Sequence, residues 1–155
     1  MHPKRYLYDI GILYDLRLKG LTEISLDDLG SNVLRTPLGG LIENAVALSL
    51  NQQFPDDVFG IRLSHQTEID FGIKHQGVVF PIECKMALKF KQNYLKGLSI
   101  FQQKIAKKTH SLLLYGGPKY LYSEHIHALP YYLCDGMKSY LEKLTSLKSD
   151  VFSLE

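Results

Sequence analysis

The residues most able to do chemistry are Asp70 and, thirteen positions later, the tripeptide Glu83-Cys84-Lys85. Both lie in segments that read as adjacent strands. Residues 67–74 alternate, with Ile69, Phe71 and Ile73 on one face and Glu68, Asp70 and Gly72 on the other. Residues 78–85 place Val78, Phe80, Ile82 and Cys84 on one face and Val79, Pro81, Glu83 and Lys85 on the opposite one. Directly opposed side chains of paired strands stand about 5 Å apart at Cβ, so Asp70 and Glu83 can converge on one point. Two carboxylates brought together repel unless a cation lies between them. Mg²⁺ (or Mn²⁺) meets that need, since a hard divalent ion prefers oxygen ligands. Lys85 shares the face of Glu83 and can reach the same pocket. Carboxylates to hold an ion, an ion to acidify water and a cation for developing phosphoryl charge are the parts of a hydrolytic site. A solvent-facing strand that alternates Glu and Lys gives the same letters without any site, and the pattern alone leaves both readings open.

Elements around this pair must hold it. Thr36-Pro37 is a helix start, with Thr as cap and Pro in the first turn, and the helix should run to about Gln53, before Pro55. Leu38, Ile42, Ala45, Val46 and Ser49 form its inward stripe, and Glu43 lies on the flank of that stripe. A strand is expected over 58–63. The turn His75-Gln76-Gly77 joins the two site strands, and Pro81 predicts local irregularity in the second, because it has no N–H for a ladder. A helix over 93–108 carries Leu95, Leu98, Phe101 and Ile105, followed by a short apolar strand over 110–115, suited to burial between parallel neighbours. A short strand over 4–8, a helix over 9–18, an irregular surface stretch over 20–36, a strand over 120–126 and a final helix over 130–144 complete the chain. Meander, crossover helix and further strand imply an α/β fold, a mixed central sheet flanked by helices.

The 155-residue chain is expected to be one domain, with 1–35 and 130–155 peripheral. Composition is that of an ordinary globular protein, at 45% hydrophobic and 22% charged residues. No window approaches the ~18 apolar residues of a membrane span, no apolar run follows the N-terminal residues as in a signal peptide, and two cysteines without a Cys-x-x-Cys suggest a reducing, cytoplasmic setting. Net charge is only +2, but between Cys84 and Ser123 there are eight lysines and no acid, leaving ten bases against sixteen acids elsewhere. That split predicts a basic face on an acidic body, with Lys89, Lys91 and Lys96 placed to meet nucleic-acid phosphates. Tyr94, Tyr115, Tyr120 and Tyr122 interleave with these lysines and read either as core residues or as stacking surfaces. His125 and His127 alternate but have no third metal ligand at suitable spacing, and Cys84 reads as an inert core thiol.

Asp70 with Glu83-Cys84-Lys85, preceded by a helical Glu43, resembles the PD-(D/E)XK nuclease motif. A longer likeness runs through Tyr6-Leu-Tyr-Asp9-Ile-Gly11, Gly40-Leu-Ile-Glu43-Asn44, Thr67-Glu68-Ile-Asp70-Phe71, Pro81-Ile-Glu83-Cys-Lys85 and Lys96-Gly97-Leu98-Ser-Ile-Phe101, up to about residue 130. It is similar to the uncharacterised nuclease-like domain found C-terminal to bacterial and archaeal AAA+ ATPases. The resemblance implies a restriction-endonuclease-like sheet, with Asp70, Glu83 and Glu43 as metal ligands and Lys85 assisting Mg²⁺-dependent cleavage of DNA or RNA. It also implies an AAA+ ATPase as partner, in cis or in trans. No Gly-x-x-x-x-Gly-Lys-Ser/Thr occurs, so no P-loop ATPase domain is expected within this chain. The other reading is a non-catalytic module that recognises nucleic acid or protein on the same fold.

Overall fold

The computed structural model describes residues 4–19, 35–106 and 109–149. Its sheet is laid out from one hairpin. β2 (Thr67–His75) and β3 (Val78–Lys85) pair antiparallel from His75↔Val78 to Phe71↔Ile82. The turn is the two residues Gln76 and Gly77, with φ of 50° and 76°. Such left-handed turns match the twist of the strands they join, and Gly77 adopts this conformation without steric cost. β1 (Val58–Ser64) pairs antiparallel with β2. On the other side α3 (Lys96–Lys104), entered through a 3₁₀ turn at Gln92–Leu95, returns the chain to β4 (Ser111–Tyr115), which is parallel to β3. Pro81 stands one residue before that parallel pairing begins, so its missing N–H falls outside the β3–β4 ladder.

β5 (Tyr120–Ser123) and β6 (Ile126–Pro130) form an antiparallel pair, and β6 inserts beside β4. The strand order is β1-β2-β3-β4-β6-β5. β4, parallel to both its neighbours, and β6, parallel to β4, are buried along their whole length. Helices cover both faces, as an α/β mixed sheet requires. On one face α2 (Arg35–Gln53) and α4 (Met137–Ser149) bring Val46, Leu50, Met137 and Leu141 against Phe71, Ile73, Phe80, Ile82 and Leu112. On the other, α3 packs Leu98 and Phe101 against Ile69, Leu113, Tyr115 and Ala128. α1 (Ile10–Leu18), capped by the Asp9 carboxylate on the Ile12 N–H, lies on α2 through Leu13, Leu18, Leu38 and Leu41.

Several expectations are corrected. The alternation of β2 breaks at the site. Between Phe59↔Gly72 and Ile61↔Ile69, β2 spends one residue more than β1, so Ile69 and Phe71 fall in opposite core layers rather than on one face. Residues 4–8 form no strand, because no neighbouring strand offers them a ladder. The buried stripe of α2 is Leu38, Leu41, Asn44, Ala47 and Leu50 with Val46, while Ala45 and Ser49 are only half-buried. The 93–108 helix is a 3₁₀ turn followed by α3, which ends at Lys104 and leaves Ile105 exposed. The strand expected over 120–126 is the start of a hairpin. Residues 131–136 of the helix expected over 130–144 are 3₁₀, and α4 beyond them buries Leu141 completely. Of the irregular stretch expected over 20–36, residues 20–34 lie outside the described residues, as does the Thr36 side-chain cap, and α2 already begins at Arg35.

Candidate active site

The bulge in β2 decides how Asp70 is used. The ladder with β3 stops at Phe71↔Ile82, and beyond it the Asp70 carboxylate replaces a strand partner: its Oδ2 accepts the Cys84 N–H at 2.9 Å. The acid is thereby fixed to β3 by its side chain, with Oδ1 turned toward the cleft. Glu43 reaches the same place from α2. A cleft of about 270 Å³ is lined by Gly39, Gly40, Glu43, Asp70, Cys84, Lys85 and Met86. Gly40 lets the Arg17 guanidinium of α1 lie against α2, where a Cβ would displace it.

Glu83 sits on the α3 face. Its Oε1 accepts from the Lys85 ammonium, while Oε2 is buried with no hydrogen-bond partner among the described residues. Gly97 of α3 allows this approach: a Cβ there would be 3.2 Å from Ile69 Cγ1 and 3.9 Å from Glu83 Oε2. Burial, with the Asp70 charge added, pushes the Glu83 carboxyl up to about 7 against the pull of Lys85. Burial works to lower the Lys85 ammonium, but Glu83 outweighs it and the net shift is upward.

The sequence pointed to Glu43, Asp70, Glu83 and Lys85, and all four come to this end of the sheet. It did not point to Lys4 or Tyr6. The Lys4 Nζ donates at 2.9 Å to Glu43 Oε1 and at 2.9 Å to Asp70 Oδ1. Tyr6 donates its hydroxyl to Glu43 Oε1 at 3.0 Å and lays its ring 5.9 Å from that of Phe71. Buried Asn44 holds the segment by accepting the Leu7 N–H at 2.8 Å and donating to the Leu7 carbonyl at 2.7 Å. Burial works against the Lys4 ammonium, yet Asp70 and Glu43 hold its pKa above the ordinary lysine range. Only the match of a Lys-x-Tyr to an acidic pair 39 and 66 residues away could have found these contacts, and no local spacing encodes it.

The charges therefore stand as two groups, Lys4 with Glu43 and Asp70, and Lys85 with Glu83. Among the described residues, no three His, Cys, Asp or Glu side chains are gathered closely enough to hold a metal ion. The cleft itself offers two carboxylates, Glu43 and Asp70, and such a pair suits a hard divalent cation that keeps several waters.

Lys89, Lys91 and Lys96 are exposed, as expected of a basic face. Tyr94 and Tyr115 are core residues, whereas Tyr120 and Tyr122 are exposed on β5, their rings 5.4 and 5.8 Å from Phe90. His127 has a neighbour the spacing did not suggest, with His110 Nδ1 2.9 Å from its Nε2 and the Tyr140 hydroxyl 2.9 Å from its Nδ1. Cys84 is buried and burial raises its thiol well above the usual range, as an inert thiol requires. No helix among the described residues is long and apolar enough to cross a membrane.

A family model described as a domain of unknown function (DUF4143) matches residues 38–134, well over half of the 155-residue chain. The matched span includes Glu43, Asp70, Glu83 and Lys85. No curated protein and no solved structure matches the chain.

Proposed function

The chain belongs to the DUF4143 family, and from that footing we propose that it is a divalent-metal-dependent phosphodiesterase acting on DNA or RNA, on a restriction-endonuclease-like sheet. The observation that carries the reading is the position of Asp70 at the point where β2 leaves β3, beside Glu83 on the next strand and facing Glu43 on α2. Asp70 Oδ1 and the Glu43 carboxylate, which share the cleft, are the oxygens that would hold Mg²⁺ or Mn²⁺ with waters, and Glu83 would complete the set by turning its carboxylate from the α3 face toward the cleft. The bound ion would supply a water acidic enough to attack at neutral pH and charge to offset the phosphate. Lys85 directs its ammonium to the same place and stabilises negative charge that develops on a phosphoryl oxygen. Lys89, Lys91 and Lys96, with Phe90, Tyr120 and Tyr122 nearby in the fold, would hold the strand by its phosphates and bases.

A second reading has its own observation. The Lys4 ammonium already neutralises Glu43 and Asp70, which favours a recognition module for nucleic acid or protein in which the acids are structural. Either reading is compatible with an AAA+ ATPase partner. Calorimetric Mn²⁺ titration beside cleavage assays on single- and double-stranded DNA and RNA separates them. The nuclease is expected to bind Mn²⁺ and cut, and Asp70→Ala and Glu83→Ala to do neither. Lys85→Met should still bind the ion but lose roughly 10²-fold in rate, as for loss of one charge-stabilising group. Oligonucleotide binding by the wild type without any cleavage would select the recognition module.

A further inference from the structure

We propose that Lys4 is a functional part of this site: its ammonium fills the cation position between Glu43 and Asp70, and a divalent ion enters only by exchanging with it. The inference rests on the reading of these carboxylates as a metal site and goes beyond it in assigning the segment around residues 4–7 to that site.

The geometry has three parts. Lys4 Nζ is equally close, at 2.9 Å, to an oxygen of each acid, and the acids come from different elements, α2 and β2. An ammonium so placed does what a bridging ion does, holding two carboxylates together that would otherwise repel. Second, Lys85 cannot take over that role, because its ammonium is engaged by Glu83. Third, the Lys4 side chain is still 39% exposed, and its segment has no ladder. Its described anchors are Tyr6 on Glu43 and Phe71, and Asn44 on Leu7. Such a segment can withdraw with only the half-buried Tyr6 ring leaving the margin of the core.

Two cations cannot share the gap, since an ammonium and a divalent ion within bonding distance of the same oxygens repel each other. Binding of the ion and docking of the segment are therefore linked, and each opposes the other to the same degree. If the segment is docked nine-tenths of the time, apparent metal affinity is about tenfold below that of the bare carboxylates. Lys4 acts through Glu43 and Asp70 as a positioning residue and touches no reacting atom.

The test uses the full chain and Mn²⁺ alone, titrated by calorimetry into wild type, Lys4→Met and Lys4→Arg. Lys4→Met keeps the aliphatic stem, and Lys4→Arg keeps the charge. Lys4→Met is expected to bind Mn²⁺ about tenfold more tightly than wild type, and Lys4→Arg no more than a few-fold differently from it. In wild type, saturating Mg²⁺ should also speed hydrogen exchange at the Leu7 amide, which Asn44 now protects, a change that a purely structural lysine would not produce. If wild type and Lys4→Met bind Mn²⁺ equally, or if Leu7 exchange ignores Mg²⁺, the exchange proposal falls and the metal site stands. If neither protein binds Mn²⁺, the metal site falls and takes the proposal with it.

Discussion

Asn44 and Glu83 are both buried polar side chains, with opposite consequences. Asn44 satisfies both backbone groups of Leu7, and so substitutes for the strand that residues 4–8 lack. Asn44→Ala should cost about 1–3 kcal/mol in denaturant unfolding, because a buried pair of hydrogen bonds is lost and part of α2 stays covered. Glu83 is strained electrostatically. Its carboxyl is raised from 4.5 to about 7, so across that window the folded chain holds a proton that the unfolded chain has released. Its contribution to stability is therefore present below about 4.5 and lost as pH climbs to about 7. Metal-free wild type is expected to give up as much as ~3 kcal/mol between pH 5 and 8 through this group, and Glu83→Gln to flatten that slope in urea titrations. His127 works the other way, since burial and Lys119 lower it, and its stabilising effect fades as pH falls below its ordinary 6.5.

At the scale of elements, much was legible. The β2–β3 hairpin follows from alternation and a Gln-Gly turn, and β4 from an unbroken apolar run. The bulge at Asp70 was not legible, because letters that alternate cannot reveal that β1 supplies one residue fewer than β2 opposite them. Lys4 was hidden for another reason: its partners are on elements far away in sequence, and a lone lysine near an aromatic pair carries no local signal. The turn between β5 and β6 falls inside the strand expected over 120–126, because the break at Ser123–Ile126 has no Gly or Pro to mark it. α3 shows how closely packing constrains the site. A Cβ at Gly97 meets Ile69 Cγ1 at 3.2 Å and the Glu68 carbonyl oxygen at 3.4 Å, and the carbonyl cannot rotate away. Gly97→Val should lift α3 from β2, destabilise by about 1–3 kcal/mol, and expose Glu83 enough to bring its carboxyl down toward the ordinary range; thermal melts and a carboxyl NMR titration would register both effects.

Over the whole molecule, charge is separated more than its net +2 suggests. The acid-free stretch from Cys84 to Ser123 supplies exposed Lys89, Lys91, Lys96, Lys104 and Lys119. Oligonucleotide binding measured by anisotropy in EDTA should weaken by roughly tenfold or more between 50 and 200 mM salt if about three phosphates are engaged, and Lys89→Glu with Lys91→Glu should reduce both affinity and salt slope. A flat salt response would remove the nucleic-acid face. The two-residue turn between β2 and β3 has a further consequence, in the order of events during folding. The β2–β3 hairpin brings Asp70 near Glu83 through a local pairing, whereas Lys4 reaches Asp70 across 66 residues. Local contacts close sooner than distant ones, so a refolding chain sets Asp70 beside Glu83 before Lys4 arrives, with Lys85 alone to offset the two acids. That interval of repulsion should act as a kinetic brake, one that millimolar Mn²⁺ or raised ionic strength releases in stopped-flow refolding, while Asp70→Asn folds quickly without either.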